Sequence, residues 1–386
     1  MAEHSTIEWT DATWNPITGC SVVSPGCTNC YAMGLAGTRL QHHPSRAGLT
    51  RPSKAGPVWN GEVRLNEEWL TQPLHWKRPR MIFVCAHGDL FHESVPDEWI
   101  DRVFAIMALC PQHSFQVLTK RSARMRAYMA GHQSAIPYLG RMPLERIHLE
   151  AAGHMQGDGG FMDALKQAGN VYSLYLDTPW PLPNVWLGVS AEDQRRADER
   201  VPDLLATPAA VRFVSAEPLL GPIDFEAMPF AEGDRRHRWS ALTGQAIMHA
   251  TGKDGHPDCT VRLDKPIFSR LDWIIVGGES GPNARPMHPA WARSIRDQCN
   301  AAGTAFLFKQ WGAWKVEIDR DTQDSDWRAN YSGRLNDREA DIAWLNIEGG
   351  RGFHGEAFHV MRRVGKKAAG RLLDGREHNG MPEARS

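Results

Sequence analysis

The stretch that decides the fold runs from DWIIVGG (272–278) through HPAWARSIRDQCNAAG (288–303) to AFLFKQ (305–310). The first and last runs are apolar almost throughout, which is typical of strands buried on both faces of a parallel sheet. The segment between them has apolar residues at helical spacing and ends at Gly303, a residue suited to a helix C-cap. A strand, a helix and a second strand in this order predict an α/β fold with a parallel sheet.

The same alternation recurs upstream of this stretch. Four further apolar runs of strand length are present: MIFVCA (81–86), FQVLT (115–119), VWLGVS (185–190) and VRFVSA (211–216). Helical patterns lie between them, at 96–110, 121–130 and 193–207. We therefore expect all of these strands to belong to one parallel sheet with helices in the connections.

Three stretches interrupt the alternation. Residues 130–183 and 230–268 are Gly-rich or mixed in composition, and we interpret both as insertions into connections. Residues 316–386 are predicted to be an irregular polar segment followed by a basic C-terminal helix within VGKKAAGRLLDGREH (364–378). The strand pattern continues across the two insertions, so we predict a single domain over residues 1–386.

Composition narrows the class of protein. Lys and Arg number 44 against 45 Asp and Glu, a net charge of -1, so total charge does not point to a polyanion partner. No apolar run approaches the roughly 20 residues that span a bilayer, and MAEHSTIEWT (1–10) lacks the layout of a signal peptide. Four of the seven cysteines are scattered singly, at Cys85, Cys110, Cys259 and Cys299, as expected of reduced thiols. We predict a cytoplasmic protein with no membrane partner.

Polar side chains follow each predicted strand. They are His87 and Asp89; Thr119, Lys120 and Arg121; Ser190 and Glu192; Ser215 and Glu217; Gly278, Glu279 and Ser280; Lys309 and Gln310. Ligands bind at the carboxyl ends of parallel strands because the loops converge there. We therefore expect these groups to share one site.

The remaining three cysteines lie close together in TGCSVVSPGCTNCYA (18–32). Cys27 and Cys30 form a C-x2-C pair of the kind found in zinc sites, although zinc normally takes four protein ligands in structural sites. An iron-sulfur cluster is the alternative, since a four-iron cluster normally takes one cysteine on each iron. Three cysteines would leave one iron open to a substrate or cofactor.

Seven motifs together resemble a known family. They are TIEWTDATWNPITGCSVVSPGCTNCYA (6–32), VLTKR (117–121), NVWLGVSAEDQ (184–194), RFVSAEPLLGPID (212–224), DWIIVGGESGPNARPMHPAW (272–291), FLFKQWG (306–312) and VGKKAAGRLLDG (364–375). The chain resembles the phage-associated family of uncharacterised proteins with a three-Cys motif, whose members look like divergent radical S-adenosylmethionine (SAM) enzymes. The usual radical SAM signature is C-x3-C-x2-C, whereas this chain has C-x6-C-x2-C.

This resemblance implies a fold and a cofactor. The fold would be a partial (β/α) barrel of TIM type with about six or seven parallel strands, the first of them drawn through NPITG (15–19). Cys20, Cys27 and Cys30 would bind a four-iron four-sulfur cluster, and SAM would occupy the fourth iron. Cleavage of SAM would give a 5'-deoxyadenosyl radical, with electrons from a flavodoxin- or ferredoxin-type donor. A nucleic-acid base, in phage DNA modification or repair, is the substrate that the resemblance favours.

Further roles follow from the resemblance. Gly277, Gly278 and Glu279 match the Gly-Gly-Glu tripeptide that contacts the SAM amino group in such folds, although they follow a late strand. Glu217 is the rival for that role, and Ser190 and Ser215 are candidates for the SAM carboxylate or ribose. The candidates for a part in catalysis are Cys85 as a hydrogen-atom donor, Lys120 as a cation for a substrate phosphate or the SAM carboxylate, and Glu217 again.

Two other classes of function remain open from the sequence. One is a zinc-stabilised nucleic-acid-binding protein without catalytic activity. The other is a magnesium-dependent hydrolase or nuclease that binds the metal through strand-end carboxylates, with structural cysteines. The candidate carboxylates are Asp89, Glu192, Glu217 and Glu279.

Overall fold

A computed structural model of the chain describes residues 5, 7–131, 146–147, 150–151, 179–230, 237–251, 257–262, 266–319, 341–346 and 358–383. The main sheet has seven strands, numbered β1 to β7 in chain order: Ala12–Trp14, Met81–Val84, Ser114–Thr119, Val185–Ser190, Val211–Ala216, Trp273–Gly277 and Ala305–Gln310. Neighbours in the sheet are also neighbours in this order, and every pair is parallel. The strand order never reverses, as it would in a doubly wound sheet, so the sheet curls into a half-barrel.

Helices flank this sheet. In chain order they are α1 (Tyr31–Ala36), α2 (Glu67–Leu70), α3 (Asp97–Ala108), α4 (Ser122–Ala130), α5 (Gln194–Ala206), α6 (Pro289–Ala302) and α7 (Lys366–Ala369), with 3-10 turns at Pro25–Cys27 and Gln72–His75. Helix α6 follows His288, whose ring accepts a hydrogen bond from the amide of Ala290, and ends at left-handed Gly303 with φ of 68°. The predicted α/β class, parallel strands and C-cap are confirmed, and the half-barrel is consistent with a partial TIM-type barrel.

The first strand differs from the prediction. It is Ala12–Trp14, not NPITG (15–19), and within that motif Ile17–Thr18 pairs antiparallel with Arg64–Leu65. The physical reason is Pro16, which has no N–H to donate to a continued parallel ladder. The strand therefore ends at Trp14, one isolated parallel bridge follows between Gly19 and Gly88, and the cysteines lie in the loop beyond it.

The two faces of the half-barrel bury different clusters. The outer face packs against the helices, while the concave face carries Phe83, Trp186, Phe213, Trp273 and Leu307. The N-terminal segment inserts Trp9 among these rings, 4.8 Å from Phe83 between centroids. Side chains alternate along a strand, so Ser190, Ser215 and Lys309 face the same side as this apolar layer, nearer the carboxyl ends of their strands, and all three are polar. The apolar layer thus forms a closed base beneath a polar one.

Gly188 in β4 is required by this packing. A Cβ built at this position would lie 2.5 Å from the ring of Phe213 on the neighbouring strand. We expect Gly188→Ala to lower the free energy of unfolding by about 1–3 kcal/mol, because the ring is enclosed and cannot move aside. Gly34→Ala is the control, since no atom lies within 4 Å of its Cβ and alanine favours the helix. A loss of stability no larger than the control's, measured by urea unfolding, would contradict the expectation.

Smaller antiparallel sheets are present in addition to the half-barrel. Between β5 and β6, a four-stranded antiparallel sheet contains Met228–Pro229, His237–Trp239, Ala246–Thr251 and Pro257–Arg262, within or beside the insertion predicted at 230–268. The insertion predicted at 130–183 lies almost entirely outside the described residues. In the segment predicted to be irregular at 316–386, Trp314–Ile318, Phe358–Arg363 and Ile342–Asn346 form an antiparallel sheet, and the basic helix is the single turn α7. Among the described residues, no helix is long and apolar enough to span a membrane.

Candidate functional site

A cavity of about 560 Å³ opens at the carboxyl edge of the half-barrel. Each strand, or the residue directly after it, contributes to its lining: Thr13, Phe83, Leu118, Ser190, Ser215, Gly278 and Lys309. The volume lies within the roughly 300–1,000 Å³ that is usual for small-molecule sites. The strand-end residues predicted from the sequence to share one site therefore do so, with the exception of Glu192, which lies directly behind the lining.

The cysteine loop covers one side of this cavity. It leaves β1 through Gly19, passes through the 3-10 turn Pro25–Cys27, and ends where Cys30 precedes α1. Cys20, Cys27 and Cys30 all line the cavity, and none of them forms a disulfide. Burial, followed by the charge of Asp89, raises the pKa of the Cys20 thiol to about 12, although Arg121 opposes the shift.

Glu192, which follows β4, holds the middle of the loop. Its fully buried carboxylate accepts a hydrogen bond from the amide of Gly26 at 3.2 Å and one from Arg200 at 3.0 Å. Burial alone would raise the pKa of Glu192, but the hydrogen bond from Ser24 and the charge of Arg200 outweigh it, so the pKa lies below its ordinary value. The carboxylate is thus an ionised anchor for the turn that carries Cys27.

Glu279, which follows β6, holds the last part of the loop. Its carboxylate accepts hydrogen bonds from the side-chain amide of Asn29 at 2.9 Å and from both the backbone and the guanidinium of Arg285. Arg285 also donates to the carbonyl of Pro25 at 3.0 Å. Glu279 lines the cavity as predicted, but its oxygens are already engaged in holding the loop.

Arg121, which follows β3, holds the first cysteine. Its buried guanidinium donates to the Sγ atom of Cys20 at 3.3 Å, to Ser21, and to the carboxylate of Asp89 at 3.0 Å. Asp89 also accepts from the hydroxyl of Thr119 and from the amides of Phe91 and Lys120. Residues that follow the strands β3, β4 and β6 therefore hold the cysteine loop through hydrogen bonds.

A second polar cluster lines the cavity, in the layer next to its apolar base. Glu217 forms an ion pair with Lys309 at 2.9 Å and accepts a hydrogen bond from Ser215 at 3.0 Å. Gly277 makes room for this carboxylate, because a Cβ there would lie 2.5 Å from the Oε1 atom of Glu217. Gly278 likewise allows the close approach of the Trp311 carbonyl. Ser190 lies beside the cluster, with its side chain buried and on the cavity lining.

Three further side chains with ionisable groups line the cavity: Lys120, Cys85 and His87. Within the described part of the chain, the ammonium group of Lys120 has no hydrogen-bond or ion-pair partner. Burial raises the pKa of the Cys85 thiol to about 12, so the thiol keeps its proton. Burial, followed by the charge of Arg46, lowers the pKa of His87 to about 4, and the Nδ1 atom of its neutral ring lacks a partner among the described residues.

The four carboxylates proposed as magnesium ligands are each paired with a cation. Asp89 pairs with Arg121, Glu192 with Arg200, Glu217 with Lys309 and Glu279 with Arg285, all within 3.0 Å. The described residues contain no group of three His, Cys, Asp or Glu side chains arranged to hold a single metal ion. This geometry does not favour the hydrolase alternative, because these oxygens already have internal donors.

Sequence reasoning missed the anchors of the loop. Asn29 and Arg285 lie within quoted motifs but were assigned no role, and Arg200 lies within the helical pattern 193–207. The only sequence signal was indirect: an asparagine between the two last cysteines, and an arginine just after the Gly-Gly-Glu run. Their partners lie 250 and 260 positions away in the Asn29–Glu279 and Arg285–Pro25 contacts.

The half-barrel and its cysteine-lined cavity define an α/β protein with a cavity at the carboxyl edge of a parallel sheet. The chain belongs to the family described as "Protein of unknown function (DUF5131)", which matches residues 4–382. Among curated proteins and among solved structures, no significant match was found.

Proposed function

We propose that this protein is a radical SAM enzyme whose four-iron four-sulfur cluster is bound by Cys20, Cys27 and Cys30. The observation that carries the proposal is that three free thiols of one loop line a single cavity at the carboxyl edge of a parallel half-barrel. Ligand sites on such sheets form at this edge. The chain's resemblance to divergent radical SAM enzymes supports the same conclusion.

The donor set suits a four-iron cluster. Each cysteine would bind a different iron, so the thiols need not converge on one point, and three thiols leave one iron for SAM. The loop is anchored to the strand ends through Gly26, Asn29 and Ser21, and the one thiol bonded outside the loop is that of Cys20, to Arg121, among the described residues. Within the loop, the Sγ atom of Cys27 has a long contact with the hydroxyl of Ser24, at 3.8 Å. The sulfur atoms of Cys27 and Cys30 therefore remain available. When bound, the reduced cluster supplies the electron that cleaves SAM to methionine and a 5'-deoxyadenosyl radical.

The chain's own residues would bind, orient and exclude water. The apolar layer around Trp9 and Phe83 closes the base of the cavity, which limits the access of water to a reactive carbon. Glu217 and Lys309 form a pair that a zwitterionic group can open, with the carboxylate binding an ammonium group and the ammonium binding a carboxylate. Ser190 and Ser215 place hydroxyl groups beside that pair.

Two residues have roles toward the substrate in this proposal. Lys120 provides an unpaired cation for an anionic group of the substrate. Cys85 lines the cavity with a protonated thiol, the form from which a hydrogen atom can be donated. Electrons would come from a donor of flavodoxin or ferredoxin type.

Anaerobic purification with iron and sulfide reconstitution tests the proposal. We expect about four irons per chain, a broad visible absorbance band, and dithionite-dependent formation of 5'-deoxyadenosine from SAM. One tightly held zinc ion, no visible chromophore and no cleavage of SAM would instead overturn it in favour of a zinc-stabilised protein.

A further inference from the structure

Positive charge is concentrated beside the cavity in a chain that is almost neutral overall. Residues 31–64 contain five Lys and Arg but one Asp or Glu, against a net charge of -1 for the whole chain. The exposed cations of this segment are Arg39, Arg51 and Lys54, which we call the basic surface. None of the three has a carboxylate partner among the described residues. An exposed group of unpaired cations favours an anionic partner.

The basic surface is attached directly to the cysteine loop. Strands Thr50–Ser53 and Gly56–Trp59 form a hairpin, in which Arg51 pairs with Val58 and Lys54 lies in the turn. Helix α1 packs closely on this hairpin, since a Cβ at Gly37 would lie 2.0 Å from Pro57. Both elements also reach the cavity, through Trp59 and Tyr31.

The positive charge continues from this surface into the cavity. Lys120 lies inside without a hydrogen-bond or ion-pair partner among the described residues, although the charge of Glu192 acts on it. Lys366 of α7 lines the cavity, with its ammonium 3.7 Å from Glu8. Between surface and interior, the residue Tyr31 is 55% exposed, while its hydroxyl donates to the carbonyl of Ala86. An exposed, anchored aromatic ring beside cations is the combination that binds unstacked bases.

We propose that the basic surface binds a single strand of nucleic acid and directs one nucleotide past Tyr31 into the cavity. Phosphates would contact Arg51, Lys54 and Arg39, a base would stack on Tyr31, and Lys120 would meet the phosphate of the nucleotide that enters. A single strand fits better than a duplex, because a base must leave the stack before it can enter a cavity. Strand binding itself needs no cluster, but the reaction that follows rests on the proposed function.

An acidic protein is the other partner that such charges suit. It would dock on the exterior, and it would leave Lys120 inside the cavity without an anion at ion-pair distance, since Glu192 acts on Lys120 only through its charge. Because the unpaired cations extend from the exterior into the interior, a ligand that enters the cavity accounts for more of them. The structure therefore favours a nucleic acid.

Fluorescence anisotropy on cluster-free, full-length protein tests this proposal. The probes are fluorescein-labelled single strands of DNA and RNA of about 20 nucleotides, with the DNA duplex for comparison. The test variant is Arg51→Gln/Lys54→Gln. Its matched control is Lys77→Gln/Arg78→Gln. These two exposed cations lie just before β2, at the amino ends of the strands, whereas the cavity opens at their carboxyl ends.

We expect the test variant to bind the single strand more weakly and with less dependence on salt. Losing two phosphate contacts reduces the magnitude of the slope of log K against log salt concentration by about 1.4. When the salt concentration rises from about 50 to about 200 mM, the affinity of the variant should therefore fall by a factor about seven times smaller than that of the unmodified protein. Tyr31→Leu should weaken binding by about 5- to 150-fold, the effect of one stacked base. The control should match the unmodified protein.

Three results would overturn the proposal. The first is the absence of strand binding at about 50 mM salt, and the second is an equal effect of the control variant. The third is normal strand binding by Arg51→Gln/Lys54→Gln together with slower cluster reduction by an acidic electron-transfer protein, which would assign the surface to that protein. The assays are independent of iron, so a protein that binds the strand but takes up no cluster on reconstitution would refute the proposed function and leave this inference intact.

Discussion

Replacing Cys27 by alanine is expected to abolish cluster binding and SAM cleavage together. Cys27 lies on the 3-10 turn that Glu192 anchors, it is 9% exposed, and it lines the cavity. Without Cys27, one of the three irons that the protein binds would have no protein ligand, so the four-iron form should not persist. We expect iron well below four per chain, no visible chromophore, and no detectable 5'-deoxyadenosine.

Controls separate loss of a ligand from loss of the fold. Cys110→Ala and Cys299→Ala remove thiols that are fully buried elsewhere in the fold, and both should retain about four irons. Thermal unfolding of the metal-free proteins shows whether Cys27→Ala folds like its parent. A Cys27→Ala protein that folds normally and still binds four irons would refute the ligand assignment. If magnesium-dependent hydrolysis survived the substitution, the cysteines would be structural, as the hydrolase alternative requires.

The sheet could be predicted because its signal is local. Runs such as VWLGVS (185–190) and AFLFKQ (305–310) match β4 and β7 residue for residue, since a strand buried on both faces must be apolar throughout. The prediction places the first strand too late in the chain. The true strand is only three residues long and lies close to a proline, and three residues are too few to show a strand-like hydrophobic pattern. The repetition of strand and helix predicted one parallel sheet but suits an open sheet as well as a barrel, so the barrel-like arrangement was implied only by the resemblance.

The site could be predicted only in part. The convergence of strand-end residues followed from the topology, and the structure brings Ser190, Ser215, Glu217 and Lys309 onto one lining. Which of these groups are already paired could not be predicted, because pairing depends on side-chain contacts between distant segments. Glu279 illustrates this, since its partners Asn29 and Arg285 are fixed by the path of the cysteine loop. Its role toward SAM stays a prediction, and its role in holding the loop is a finding.

The second large effect is expected at Asp89. This carboxylate accepts four hydrogen bonds, including one from the guanidinium of Arg121, and both side chains are nearly inaccessible, at 6% and 4%. Replacing Asp89 by alanine would leave a buried cation without its principal counter-charge. We expect the free energy of unfolding to fall by about 3–5 kcal/mol, measured by urea unfolding of the metal-free protein.

The control for Asp89 is Asp297→Ala, which removes a carboxylate 63% exposed and paired with Arg296. Its effect should stay within about 1 kcal/mol, because exposed ion pairs contribute little. A loss of less than about 1 kcal/mol at Asp89 would mean that Arg121 finds another acceptor, such as Glu93 at 3.4 Å. Asp89→Asn refines the result, because it keeps the size of the side chain and removes the charge. If Asp89→Asn also releases Cys20, seen as faster alkylation of that thiol, then the Asp89 charge holds Arg121 where it can hold the first cysteine.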